Sequence, residues 1–293
     1  MKTETAIDKL DQYFVLMDAA TVGEQSVFAN NQAKEWHESI LTYAMRKYRA
    51  ASYHLENVTR LIVERRADSP CTDILDDVAF PHDKIVEASV ICRYDADTFI
   101  YELAAFLEAI KSSLDFLATA SCVYLRGVTA DSIRTLIRLA ENPQDNRRGI
   151  GFEATKRHLA WLKQLRDYRH HLVHRMVICT SAGHEVHRKG AIVRAIQHPV
   201  VVPESTPSYY PDTRRTRTME EHPRGLTFRS SMAAVTYADG TEEIVDFSAE
   251  YKAASGFIPI EEFMTRHFRN LDCFFVELLN DVISAGFQNR SGG

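Results

Sequence analysis

Apolar residues recur three and four positions apart through most of the chain, the spacing of helices with one buried face. Ile7, Leu10, Phe14, Val15 and Met17 mark a first helix over about Ala6–Ala20, followed by a short break at Thr21-Val22-Gly23. A second series, with Phe28, Trp36, Ile40, Tyr43, Ala44, Tyr48, Tyr53, Leu55, Val58, Leu61 and Ile62, runs from about Glu24 to Ala67. No proline or glycine interrupts it, so it fits one very long helix or two with an unmarked bend; Asp68-Ser69-Pro70 stops it. Residues 71 to 95, broken by Pro81, are ambiguous, and Ile85, Val86 and Val90 fit either a short strand or a loop. Asp95 or Asp97 then caps a strong helix to about Leu125, with Phe99, Leu103, Phe106, Leu107, Ile110, Leu114, Leu117 and Ala118 as its core stripe and Gly127 as its end. Thr129 or Asp131 opens a short helix through Ile133, Leu136, Ile137 and Leu139, and a polar loop covers Glu141 to Asn146. The next helix spans about Phe152–Val177, with Glu153 in its first turn and Arg175 in its last, as the helix dipole favours.

After Cys179 the pattern changes. Prolines, glycines and β-branched residues rise together from Ser181 to Ser255, and Ala191-Ile192-Val193, Val200-Val201-Val202 and Leu226-Thr227-Phe228 read as short strands. Met232 to Tyr237 and Glu243 to Phe247 flank Asp239-Gly240, the strongest hairpin signal in the chain. Pro203 to Arg224 reads as a long loop that carries Arg214, Arg215 and Arg217 near Tyr209 and Tyr210, a solvated loop or an RNA-contacting arm. Helix returns at Pro259, and Phe263, Phe268, Leu271, Phe274, Phe275, Leu278, Leu279, Val282 and Ile283 give it a face wide enough for a core and a dimer seam together, before Gly286. The fold class is therefore mainly α, a helical bundle with a β-rich insertion before the last helix. The expected divisions are N-terminal helices over 1–70, a bundle from 71–180 and 256–288, and the insertion over 181–255.

Composition narrows the partners. The net charge of −5 over 293 residues leaves no global positive field, so any nucleic-acid contact must be a local patch. Five scattered cysteines without a Cys-x-x-Cys pair fit reduced thiols. The polar start Met1-Lys2-Thr3-Glu4-Thr5 lacks the apolar run of a signal peptide, and no stretch is apolar enough to span a bilayer, so a cytoplasmic protein without a membrane partner is expected.

The chemistry concentrates in Leu165-Arg166-Asp167-Tyr168-Arg169-His170-His171-Leu172-Val173-His174-Arg175. On a helical wheel, Trp161, Leu162, Leu165, Tyr168 and Leu172 fall on one side, and Arg169, Val173, Arg166, His170 and His174 fill a neighbouring arc about 140° wide. One side can pack while the other presents two guanidiniums and two imidazoles. The plain reading is a solvated basic helix face. His170 and His174 have the i, i+4 spacing of helical metal pairs, but no Glu follows the first His and the arginines repel a cation. His184-Glu185-Val186-His187 with Cys179 has ligand residue types but no recognised spacing, and reads as a strand edge. No metal or cofactor is expected.

Arg169-His170-His171-Leu172-Val173-His174 resembles the signature of the HEPN superfamily, helical-bundle domains of which many are ribonucleases: Arg, a polar residue, and His after a gap of four to six. The preceding helix, with Lys111-Ser112-Ser113-Leu114-Asp115-Phe116-Leu117, is similar to an earlier helix of those domains. The resemblance covers about residues 96 to 178 and the final helix. It implies a metal-independent endoribonuclease in which two protomers bring their motifs together and the RNA 2′-OH attacks the adjacent phosphate, often in a toxin or phage-defence setting with an antitoxin or other regulatory partner. By that resemblance His174 would move the proton, Arg169 would hold the phosphate, and His170 and Arg166 would orient the RNA, with Asp167 and Asp115 as carboxylate partners of the basic groups. The alternative is a HEPN-like scaffold that binds RNA or protein without turnover.

Overall fold

In a computed structural model the described residues are 5–24, 26–67, 87–93, 97–122, 129–142, 152–174, 181–189, 192–204, 225–229, 232–236, 242–246 and 257–286. The fold is mainly α. The helices are α1 (Ala6–Asp18), α2 (Asn31–Ala67), α3 (Asp97–Ser121), α4 (Ile133–Glu141), α5 (Phe152–Arg157), α6 (Leu159–His174) and α7 (Ile260–Ala285). The strands are β1 (Glu87–Arg93), β2 (Ser181–Lys189), β3 (Ile192–Pro203), β4 (Gly225–Arg229), β5 (Met232–Thr236), β6 (Glu242–Asp246) and β7 (Phe257–Pro259).

The chain divides into two compact units. One contains residues 1–67, 101–173 and 264–293; the other contains 68–100 and 174–263.

In the helical unit, three helices start where the sequence supplies a cap. Thr5 and Asp8 form a capping box at α1: the Thr5 Oγ accepts from the Asp8 amide and the Asp8 carboxylate accepts from the Thr5 amide. The second helix is single and 37 residues long, but it begins at Asn31, later than the expected Glu24. Asn30 accepts from the Ala33 amide at 2.8 Å, which sets that start, and Gly23 takes a φ of 120° in the connection before it. Phe28 therefore packs from the connection, buried, and not from the helix. Ser132, not Thr129 or Asp131, caps α4, and its hydroxyl donates to Asp115 at 2.9 Å. The helix expected over Phe152–Val177 is divided at His158 into α5 and α6. The His158 amide still donates to Ala154 and the Leu162 amide to the His158 carbonyl, so the chain turns there without losing its hydrogen bonds.

The core stripes read for α3 and α6 are largely buried, whereas Val15 of the first series and Trp36, Tyr43 and Tyr53 of the second are exposed. Leu103, Phe106, Leu107, Ile110, Leu114 and Leu117 of α3 are all buried, as are Trp161, Leu162, Leu165 and Tyr168 of α6. Each such large side chain contributes about 1.5–3 kcal/mol of burial before the entropy of ordering it is subtracted. On α7, Leu271, Phe274, Phe275, Leu278, Leu279 and Val282 are buried by the chain itself. Phe268 and Ile283 of the same series are half-buried. The Asp272 carboxylate accepts from the Ala6 amide at 2.9 Å and the Tyr48 hydroxyl at 2.8 Å, joining α1, α2 and α7. Burial and this carboxylate push the Tyr48 hydroxyl pKa up. Ser113 donates across to the Ala44 carbonyl at 2.8 Å, which pins α3 to α2. Gly286 closes α7 with a φ of 68°.

The second unit holds a four-stranded sheet in the order β1-β2-β3-β7 and a three-stranded sheet in the order β4-β5-β6. All pairs are antiparallel. The ambiguous segment before α3 contributes β1, in register from Glu87 opposite Lys189 to Arg93 opposite Gly183. Ile192-Val193 and Val200–Val202, expected as two strands, are parts of one long strand, β3, and Ala191 lies outside the described residues. Of the β-rich insertion expected over 181–255, only the strand backbones and the end of β3 are described. Asp239-Gly240, the arginines of the proline-rich loop and Cys179 lie outside the described residues.

Candidate functional site

The motif stretch lies on the last turns of α6, which ends at His174. Its apolar side is fixed by packing. Trp161 donates its indole N–H to Nδ1 of His267 on α7 at 3.0 Å, and both groups are buried. That bond requires a neutral His267 with its proton on Nε2, because a protonated ring would present N–H to N–H. Burial, with help from Arg266, accordingly lowers the His267 pKa to about 4.

The basic side faces α3. Arg169 donates from Nε at 3.0 Å and from Nη2 at 2.7 Å to one oxygen of Glu108. Both donors converge on Oε2, so this is a single-acceptor contact and not the two-oxygen fork of the strongest arginine–carboxylate pairs. The other terminal nitrogen of Arg169 takes no part in it. The side chains are 25% and 48% exposed, and a pair at this level of exposure contributes about 0–1 kcal/mol. Arg166 pairs with its neighbour Asp167 at 2.9 Å, again at the surface. His170 is half-buried. His174 is placed as the last residue of α6; its side chain, and all of Arg175, lie outside the described residues.

The carboxylates sort differently from expectation. Asp167 does meet the cluster, through Arg166. Asp115 does not. It pairs with Lys111 one turn back and accepts from the Ser132 hydroxyl and the Ile133 amide, which makes it the anchor of the α4 N-terminus. Glu108 is the carboxylate that Arg169 uses, and the sequence reading missed it. The signal was present: Glu108, Ser112, Asp115 and Thr119 fall within an arc of about 60° opposite the core stripe of α3.

Basic groups at the other end of this region are engaged more fully. Arg157, at the end of α5, donates to Glu277 at 2.7 Å and to Asp281 at 3.1 Å, both on α7. His158 Nε2 lies 3.1 Å from the second oxygen of Glu277. Burial alone would raise the Glu277 carboxyl pKa, but the hydrogen bonds and charges of Arg157 and His158 outweigh it and hold the carboxyl below its ordinary range. The Glu277 hydrogen bond raises the Arg157 pKa in turn. Among the described residues no group of three or more His, Cys, Asp or Glu converges as a metal site would require, and no helix is long and apolar enough to cross a membrane.

No protein-family model matches the chain, and neither a curated protein sequence nor a solved structure does.

Proposed function

We propose that the protein is a metal-independent endoribonuclease of HEPN type, acting as a homodimer in which the Arg169–His174 motifs of two protomers meet one RNA. The observation that carries this reading is the placement of the Arg-x4-His motif. It closes helix α6, with Arg169 near the surface and held by one exposed carboxylate oxygen. An RNA phosphate has more to offer that guanidinium than Glu108 does, because two phosphate oxygens match the arginine fork. His174 takes the proton from the 2′-OH or returns one to the leaving 5′-oxygen, work suited to an imidazole with a pKa near neutral. Arg169 stabilises the charge that develops on the phosphate. His170 and Arg166, on the same arc, orient the strand. The products are a 2′,3′-cyclic phosphate and a 5′-OH, and the balance needs no metal and no cofactor. A toxin or phage-defence setting, with an antitoxin or other regulatory partner in the cytoplasm, is what the resemblance adds to this reading.

The second reading is a HEPN-like scaffold that binds RNA or protein without turnover, and the surface ion pairs of Arg166 and Arg169 favour it. One experiment separates the two. Purified protein and its His174→Ala variant are incubated with labelled RNA in EDTA. Cleavage by the parent that falls at least about 100-fold in the variant supports the nuclease. Binding without cleavage by the parent supports the scaffold. Cleavage that survives in the variant, or that requires a metal, sinks the proposal.

A further inference from the structure

The face of α3 that holds Arg169 continues into a groove. Glu108, Ser112, Asp115 and Thr119 share one narrow arc, so Ser112 lies one turn along the helix from Glu108. Ser112 and Thr119 line one wall of a groove of about 690 Å³. The facing wall is α2, through Trp36, Ile40 and Lys47. With Tyr43 these α2 residues repeat the same i, i+4, i+7, i+11 spacing and again fall within about 60°. The two helices run antiparallel, since Ser113 bonds to Ala44 while His54 meets Glu102. Lys47 therefore lies toward the Ser112 end, near Glu108, and Trp36 toward the Thr119 end. The helix rise sets the two about 16 Å apart.

Three features of this groove point the same way. Trp36 is 51% exposed and Tyr43 48%, although large aromatics normally seek burial. Tyr43 stacks on Phe116 with ring centroids 5.6 Å apart and carries the Arg46 guanidinium 5.3 Å over its ring. Arg46 and Lys47 place two exposed cations side by side at the Arg169 end. Much of the rest of the lining is polar: Ser112, Asp115, Thr119, Thr129 and Asp131. Trp36, Ile40, Phe116 and Ala130 supply its apolar part. A single strand needs a planar face for a base, cations for its phosphates and hydroxyls for its sugar edge, and those are present. Asp115 is already neutralised by Lys111 and the α4 cap. Asp131 repels phosphate, which leaves its level of the groove to a base edge, whose amino groups donate.

We infer that this groove is the subsite for single-stranded RNA next to the cleavage point, with a base on Trp36 and phosphates at Lys47 and Arg46. The inference deepens the ribonuclease reading and rests on it for RNA as the ligand. Its test reads binding apart from cleavage. The full-length protein is titrated in EDTA with a single-stranded 2′-O-methyl RNA octanucleotide, which lacks the attacking hydroxyl. The chain has two tryptophans, and Trp161 is buried, so a change in exposed indole emission reports Trp36. The expected result is saturable quenching, with binding by anisotropy about tenfold weaker in Trp36→Ala and within about twofold of the parent in Trp36→Phe. Lys47→Gln weakens binding about threefold and flattens its salt dependence. Octamer binding that leaves Trp36 emission unchanged and is equally tight in Trp36→Ala overturns the subsite, while cleavage of ordinary RNA by the parent keeps the nuclease standing. Absence of octamer binding overturns it as well. Emission that changes with protein concentration before RNA is added assigns the groove to a second copy of the chain and overturns the RNA occupant. Quenching by the octamer in a protein that cleaves no RNA keeps the subsite and removes the nuclease.

Discussion

Arg157-His158 and Arg169-His170 are the same dipeptide, twelve residues apart in one stretch of chain, and the fold treats them differently. Arg157 reaches two carboxylates of α7 through two nitrogens, and His158 closes on the second oxygen of one of them. Two α7 carboxylates thus meet two of the three Arg157 nitrogens, and the cluster joins α5 to α7. Arg169 spends two donors on one oxygen of Glu108 and keeps a terminal nitrogen out of the pair. Residue type therefore does not identify a site here. What does is whether the fold has completed the charge balance locally or has left a cation under-coordinated at the surface, where an incoming anion can improve on what the chain supplies.

The sharpest way to break this comparison is to make the same substitution at both arginines. Arg169→Lys is expected to lower RNA cleavage about 100-fold, the size of losing one well-placed donor to a developing oxyanion. Arg157→Lys should leave the rate within about twofold. Equal losses at the two positions would mean that both act through folding, and the distinction drawn between them would be void.

The next effect concerns two buried histidines of the core, one of them bonded to α6. Burial holds His37 and His267 at a pKa of about 4. His37 sits 2.6 Å from the Tyr13 hydroxyl and His267 accepts from Trp161. In the unfolded chain each titrates near 6.5. Between these values the unfolded state binds the proton and the folded state does not, so stability falls as pH is lowered from about 6.5 toward 4. The slope is up to about 1.4 kcal/mol per pH unit for each histidine. Urea unfolding at pH 6.5, 6 and 5 should show this. His267→Gln, whose amide oxygen still accepts from Trp161, should remove about half of the slope. An unchanged slope in that variant would place the acid sensitivity elsewhere.

A smaller effect tests what Glu108 does for Arg169. Glu108→Ala removes the only carboxylate that positions the guanidinium in this pair, and cleavage should fall about tenfold through kcat. Glu108→Gln keeps an acceptor and removes the competing charge, so kcat should hold and RNA binding should tighten. If both variants behave alike, Glu108 neither orients Arg169 nor competes with phosphate for it.

Much of this was legible from residue spacing. The apolar series of α3, α6 and α7 gave helices whose buried residues are those expected, because the 3.6-residue period records which side faces the core. The caps were read less well. Thr129, Asp131 and Ser132 are all good N-cap types, and the choice fell to Ser132 because Asp115, seventeen positions earlier, takes its hydroxyl and the next amide. No local pattern reports such a partner. Asp167 and Asp115 were read as carboxylate partners of the basic groups, yet Arg169 meets Glu108, for the same reason: Glu108 and Asp115 lie on one face of α3, and only the register between α3 and α6 decides which turn meets which. The α7 face was read as wide enough for a core and a dimer seam together, and the chain itself buries most of it, which a sequence does not report because it shows how much surface is apolar but not how many of its own helices cover it.

The smallest effect completes the comparison. Arg157→Ala removes two partly exposed ion pairs, with side chains 49%, 39% and 37% exposed, and should cost about 1 kcal/mol by urea unfolding near neutral pH. The cost should shrink with added salt, because screened surface charges contribute less. It should also shrink in acid. Glu277 titrates below its ordinary range in the folded protein, so its contribution is present above the unfolded carboxyl value and is lost as pH falls through the folded one. Without Arg157 the carboxyl returns toward its ordinary range, and parent and variant should converge in stability as that pH is passed. Cleavage should be unaffected throughout. A variant that keeps its full stability deficit in acid and high salt would show that Arg157 acts through the packing of its aliphatic stem against neighbouring side chains, and its contrast with Arg169 would then be one of shape rather than of completed charge.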